Sequence, residues 1–167
     1  TEEIEKKRFE SEMSLAITIQ KRLLPKNKLE HQKFSYYGLT VPSSEVGGDY
    51  FDYVRISPTK YLLVIADVTG KGMPAALIMS NIQAAIQALA PIENDLKALV
   101  NTVNKIVYKN TSKDIFITAF FCLYDTESDE IEYINAGHFY PLLSDKDGLK
   151  ELKVGGVILG FLPSPLV

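Results

Sequence analysis

The stretch that most constrains this chain is 46-VGGDYFDYVRI-56 together with 62-LLVIADVTGKGMPAALIMS-80. Each half carries a strand pattern with one aspartate of interest, Asp49 or Asp67, and Ser57–Lys60 between them is a turn of hairpin length. A hairpin sets the two strands side by side, so the two carboxylates lie on neighbouring strands. Within 49–56, Tyr50, Asp52, Val54 and Ile56 alternate with Asp49, Phe51, Tyr53 and Arg55, which turns Asp49 and Asp52 to opposite faces of a sheet. The Gly47–Gly48 pair lets backbone come close beside Asp49 and singles it out over Asp52. Tyr61–Val68 reads as a largely apolar strand buried on both faces. Thr69-Gly70-Lys71-Gly72 then turns into an apolar helix over 74–90, with Pro74 in its first turn.

Two aspartates on adjacent strands are hard oxygen donors, suited to magnesium or manganese and not to zinc or copper. Asp67 ends its strand, where the Val68 carbonyl is free to be a third donor. The competing reading has Asp67 capping the following loop and Asp49 exposed; the glycines on both sides favour the metal. The Thr69–Gly72 turn is not a P-loop, because Ile65 stands where its first glycine belongs and Gly72 where Ser or Thr would follow the lysine. Backbone N–H groups there could meet an anion, but glycines that only allow a tight turn explain the turn equally well. No serine lies in a G-x-S-x-G elbow. His31 falls in a polar connector and reads as exposed. His138, after Asn135-Ala136-Gly137, reads as a structural hydrogen-bonder, and Cys122 as core. Metal-activated water is then the best available nucleophile.

The flanks supply scaffold. Residues 2–24 form a helix with Phe9, Met13, Ala16, Ile17, Gln20, Leu23 and Leu24 as a one-sided stripe, stopped by Pro25. It either packs on its own domain or is a linker helix carrying a signal or pairing with its copy. Residues 26–33 are a polar connector, and 34–41 a strand broken by Pro42-Ser43-Ser44. The 74–90 helix is apolar nearly all round and is expected to be deeply buried. Asn94 is placed to cap a helix over 95–109. Strands follow at 115–124, 130–137, 140–145 and 149–154. Helix, three strands, two helices and four more hairpin-linked strands make an α+β fold of mostly antiparallel sheets with helices outside. At 167 residues the chain suits one domain. A net charge of −3 gives no nucleic-acid footprint, and the apolar runs are too short to span a bilayer. A charged, helical start argues against a signal peptide, and the lone Cys122 fits a reducing, cytoplasmic setting. Starting at Thr1, already in helical pattern, the chain is expected to be a piece of something longer.

Four blocks, EVGGDYFD (45–52), ADVTGKGMPAALIMS (66–80), FITAFFCLYD (116–125) and NAGHFYPLL (135–143), resemble the sporulation-protein-E-like branch of the PPM (type 2C) serine/threonine phosphatases. IQKRLLP (19–25) resembles the linker helix that precedes the domain there. The resemblance implies an α-β-β-α sandwich with two manganese or magnesium ions between the sheets. Asp49 and Asp67 would be ligands, the Val68 carbonyl would assist, and a metal-bridging water would attack the phosphorus. It further implies a phosphorylated STAS-type anti-sigma-factor antagonist as substrate, with control by an upstream sensor or receiver domain through residues 1–25 and through dimerisation. Residues 26–167 would then be a partial phosphatase domain. Two acidic motifs of the family, a D-G-x-x-E type and a final double aspartate, are absent. Asp145, Asp147 and Glu151 do not match them. Two aspartates and a carbonyl hold two six-coordinate ions poorly, so these residues alone are expected to be inactive or nearly so. The alternative is a non-catalytic binding or dimerisation module.

Overall fold

In chain order the elements are α1 (Glu2–Leu23), β1 (Lys28–Glu30), β2 (Ser35–Tyr37), β3 (Asp49–Arg55), β4 (Lys60–Val68), α2 (Met73–Leu89), α3 (Leu96–Asn110), β5 (Ile117–Asp125), β6 (Glu130–Ala136), β7 (Leu142–Asp145) and β8 (Gly148–Glu151). They come from a computed structural model that describes residues 2–26, 28–41, 45–112, 114–163 and 166. The break expected at Pro42-Ser43-Ser44 lies outside the described residues.

Strands β3-β4-β5-β6 form an antiparallel four-stranded sheet in that order: β3–β4 and β5–β6 are hairpins, and β5 returns antiparallel to β4 after the two helices. One face carries Tyr50, Val54, Leu62, Val64, Ala66, Val68, Ala119, Phe121, Leu123 and Ile134, all buried. Against it lie Ala75, Met79, Ile82 and Ile86 of α2 and Leu96, Leu99, Val100, Val103 and Val107 of α3. Burying side chains of this size is worth about 1.5–3 kcal/mol each, which makes this layer the core. Helix α2 is one-sided and not buried all round, since Leu77 is 64% exposed and Ala84 and Ala88 face solvent. Its alanines serve the close approach of the helix to the sheet at Ala75 and Ala76, and the others are helix formers on the wet side. The cap of α3 is Asp95, whose side chain accepts from the Ala98 amide, and not Asn94. Asp95 is the residue whose extended backbone aims a carboxylate at that amide.

The opposite face carries Asp49, Phe51, Tyr53, Leu63, Ile65, Asp67, Thr118, Phe120, Cys122 and Tyr133, as the registers dictate. Strand β4 is therefore not buried on both faces, for Ile65 is 46% exposed. A two-stranded ribbon, β1-β2, lies over part of it. Tyr36 packs edge-on to Tyr53 and near Phe51, while Phe34 meets Tyr61 and Tyr124. This ribbon corrects two expectations. Lys28–Glu30 pairs with Ser35–Tyr37 where a connector was expected, and the strand expected over 34–41 spans only three residues. A polar three-residue strand on the rim carries no apolar alternation to betray it. Gly38, just past β2, lies so close to the Phe51 ring that a Cβ would clash with it. His31, expected to be exposed, is half-buried against Phe34 and Tyr61. A further ribbon, β7-β8, follows β6. No helix among the described residues is long and apolar enough to cross a membrane.

Candidate metal centre

The β3–β4 register places Asp49 opposite Asp67, the first described pair of that ladder. Directly opposed residues on an antiparallel pair share a face, with Cβ atoms about 4.5–5.5 Å apart. Both aspartates are solvent-accessible at the end of the sheet, so a cation reaches them without crossing the core. Partial burial pushes the Asp67 carboxyl above the usual carboxylate range, and the Asp49 charge and hydrogen-bonding contact push the same way. A cation held beside Asp67 would relieve that push.

Gly48 completes the corner. A Cβ on it would stand 2.8 Å from the Val68 carbonyl oxygen, 2.9 Å from the Val68 Cβ and 3.2 Å from the Ala75 Cβ. Only glycine fits against that oxygen while the Gly48 carbonyl accepts from the Val68 amide at 3.3 Å. Two carboxylates and a backbone oxygen form a hard, oxygen-only donor set that fits a magnesium or manganese ion. Among the described residues no group of three His, Cys, Asp or Glu converges on one point, so these side chains alone do not close a full coordination shell.

Asp52 turns to the helix side, as the alternation requires. It is 2% exposed and accepts from Tyr50 Oη at 2.6 Å, Gln87 Nε2 at 2.7 Å and its neighbour's amide, Tyr53 N, at 2.8 Å. Burial raises its pKa and these three donors oppose the rise. The turn into α2 has Gly70 and Gly72 at φ +94° and +71°, with Gly72 at the helix N-cap and no side-chain cap. Strained backbone geometry thus accounts for those glycines.

Two residues join the site that sequence reasoning placed elsewhere. Gln20, a member of the α1 stripe, clasps the loop before Asp49. Its Nε2 donates to the Gly47 carbonyl at 2.6 Å and its Oε1 accepts from the Gly47 amide at 3.1 Å. A polar residue inside an apolar helix stripe was the available signal. His138 lies beside Asp67, because Thr118, opposite Asp67 on β5, meets the His138 Nδ1 at 2.9 Å. Its backbone is pinned by Asn135, which accepts from the His138 amide and donates to its carbonyl. Structural hydrogen bonding is therefore part of its role, as expected, but its position beside the aspartates was not legible.

Residues 57–166 match the family described as stage II sporulation protein E. The chain belongs to that family. It is 31% identical over 156 residues to the phosphoserine phosphatase RsbU of Bacillus subtilis, covering 91% of this chain and 46% of RsbU. The chain thus spans just under half the length of that relative. The SiaA-PP2C domain of Pseudomonas aeruginosa superposes with a TM-score of 0.72 at 22% identity, over 97% of this chain and 67% of that one. RsbX, solved in complex with magnesium, superposes with a TM-score of 0.67 at 17% identity, over 84% and 68% of the two chains. The antiparallel α+β architecture is accordingly that of the PP2C phosphatase domains.

Proposed function

We propose that this chain is part of a metal-dependent protein phosphatase acting on phosphoserine. The observation that carries the reading is the cross-strand pair Asp49–Asp67 beside a glycine packed directly against the Val68 carbonyl, in a family whose relative RsbU is a phosphoserine phosphatase. Asp49, Asp67 and the Val68 carbonyl would hold magnesium or manganese, two ions in a complete domain. The bound cation supplies Lewis acidity toward a phosphoryl oxygen and an activated water. The residues of this chain do the rest. Asp49 and Asp67 fix the position of the ion at an open sheet end, Gly48 fits against the third donor, and Gln20 holds the loop that sets Asp49.

The substrate is a phosphorylated anti-sigma-factor antagonist of the STAS fold, in a cytoplasmic signalling pathway. Residues 1–25 are a regulatory linker, with an upstream sensor or receiver domain and a homodimer acting through it; the exposed Ile4, Phe9, Leu15 and Ile19 of α1 support that part. Residues 26–167 belong to the phosphatase domain, and by themselves are inactive or nearly so. The second reading is a binding or dimerisation module without hydrolysis.

The test is manganese-dependent phosphate release from a phosphoserine protein, by this chain and by the longest form its gene encodes. Release by the longer form, abolished by Asp67→Asn, supports the phosphatase. Silence from both forms favours the binding module, and full turnover by this chain refutes its inactivity.

A further inference from the structure

His138 is more constrained than a loop histidine needs to be. Gly137, at φ +71°, turns the chain out of β6, and Asn135 grips the His138 backbone from both sides. Thr118 engages Nδ1 at 2.9 Å. No hydrogen bond reaches Nε2 among the described residues, and the ring is half-buried in the wall of a cavity of about 300 Å3. The same cavity is lined by Asp67, Thr118, Gly137, Phe139 and Tyr140. An imidazole held at one nitrogen and open at the other is oriented for a ligand.

That ligand is not the cation. Asp49, Asp67 and His138 do not converge as a ligand set, since no such group of three exists among the described residues. The Thr118 hydroxyl both donates and accepts. When it donates to Nδ1, the imidazole carries its proton on Nε2 and offers an N–H to the cavity. An N–H in the cavity beside Asp67, where a cation would be held, would suit an anionic oxygen such as one of a phosphoryl group.

We propose that His138 is a phosphoryl-binding residue, its Nε2–H donating to a non-bridging oxygen of the substrate phosphoserine and of the phosphate product. This rests on the phosphatase reading above. Phe139, 90% exposed, and Tyr140, 52% exposed, form the apolar rim through which the phosphoserine enters.

The experiment titrates inorganic phosphate into the full protein in the presence of magnesium, following the His138 imidazole nitrogens by NMR, with His31 as the internal reference. Product inhibition by phosphate is measured in parallel for wild type, His138→Ala and His138→Gln. The expected result is a shift of His138 Nε2 with His31 unmoved. Phosphate inhibition weakens about tenfold or more in His138→Ala, the loss of a hydrogen bond to a charged group. His138→Gln, which keeps an amide donor at the cavity, recovers part of it, and the magnesium concentration for half-activation stays put. An unmoved His138 ring at phosphate levels that inhibit turnover overturns the proposal. So does a magnesium requirement that moves together with phosphate inhibition, because His138 would then serve the cation. If the wild type shows no turnover, the phosphatase reading falls, and the ring shift alone decides whether His138 binds phosphate.

Discussion

Gly48→Ala tests whether the corner is built by contact. The added Cβ would stand 2.8 Å from the Val68 oxygen and 2.9 Å from the Val68 Cβ, distances real Cβ atoms do not adopt. The 3.2 Å approach to Ala75 closes the other escape, because Ala75 is buried on α2 against the sheet. Backbone of β4 must move, and overpacking of this kind costs about 1–3 kcal/mol. With a urea dependence of roughly 2 kcal/mol per molar, the unfolding midpoint falls by about 0.5–1.5 M. The displaced oxygen is also the proposed third donor, so magnesium should no longer raise the melting temperature of the variant. Gly70→Ala is the control. Gly70 has φ +94° and nothing within 4 Å of a built Cβ, so its penalty is conformational alone, about 1 kcal/mol, with the magnesium effect retained. A Gly48→Ala protein as stable as Gly70→Ala and still stabilised by magnesium would refute the reasoning.

Other perturbations read other parts of the account. Gln20→Ala removes both bonds to Gly47 and should cost about 1–2 kcal/mol, with faster hydrogen exchange at the Gly47 amide; unchanged exchange would show that the clasp does not hold the loop. Asn104, fully buried on α3, accepts from the Gly160 amide and donates to the Leu162 carbonyl, so Asn104→Ala should cost about 2–3 kcal/mol by urea melt as it unpairs both. The metal-free pH profile follows from Asp67, whose raised pKa means the folded chain keeps a proton that the unfolded chain has released. Stability should therefore fall as pH rises from about 4 through the folded-state value. Asp67→Asn should flatten part of that slope, the remainder belonging to Asp52, also raised; an unaltered slope would deny the strain at the pair.

Much of the frame was legible because it is written in period and punctuation. The alternation in 49–56 separated Asp49 from Asp52, and the hairpin at Ser57–Lys60 set Asp49 opposite Asp67. What periodicity cannot carry is the environment beyond one's own element. The outer face of β4 looks like the inner one in sequence, yet only part of it is covered, by the β1-β2 ribbon. Lys28–Glu30 is a strand by pairing alone. Asn104 falls on the inner stripe of α3 but is there for its two hydrogen bonds to the final segment. The nearness of His138 to Asp67 needed the β4–β5 register together with the turn after β6, two facts that no local pattern states.

The central claim is that Asp49 and Asp67 form a cation site, and thermal unfolding with and without magnesium at neutral pH addresses it most directly. An ion bound only by the folded chain stabilises it by about 1.4 kcal/mol at ten times its dissociation constant. The account predicts a melting temperature that climbs with magnesium in the wild type and stays flat in both Asp49→Asn and Asp67→Asn. A wild type indifferent to magnesium and to manganese, or variants that respond as the wild type does, would contradict it.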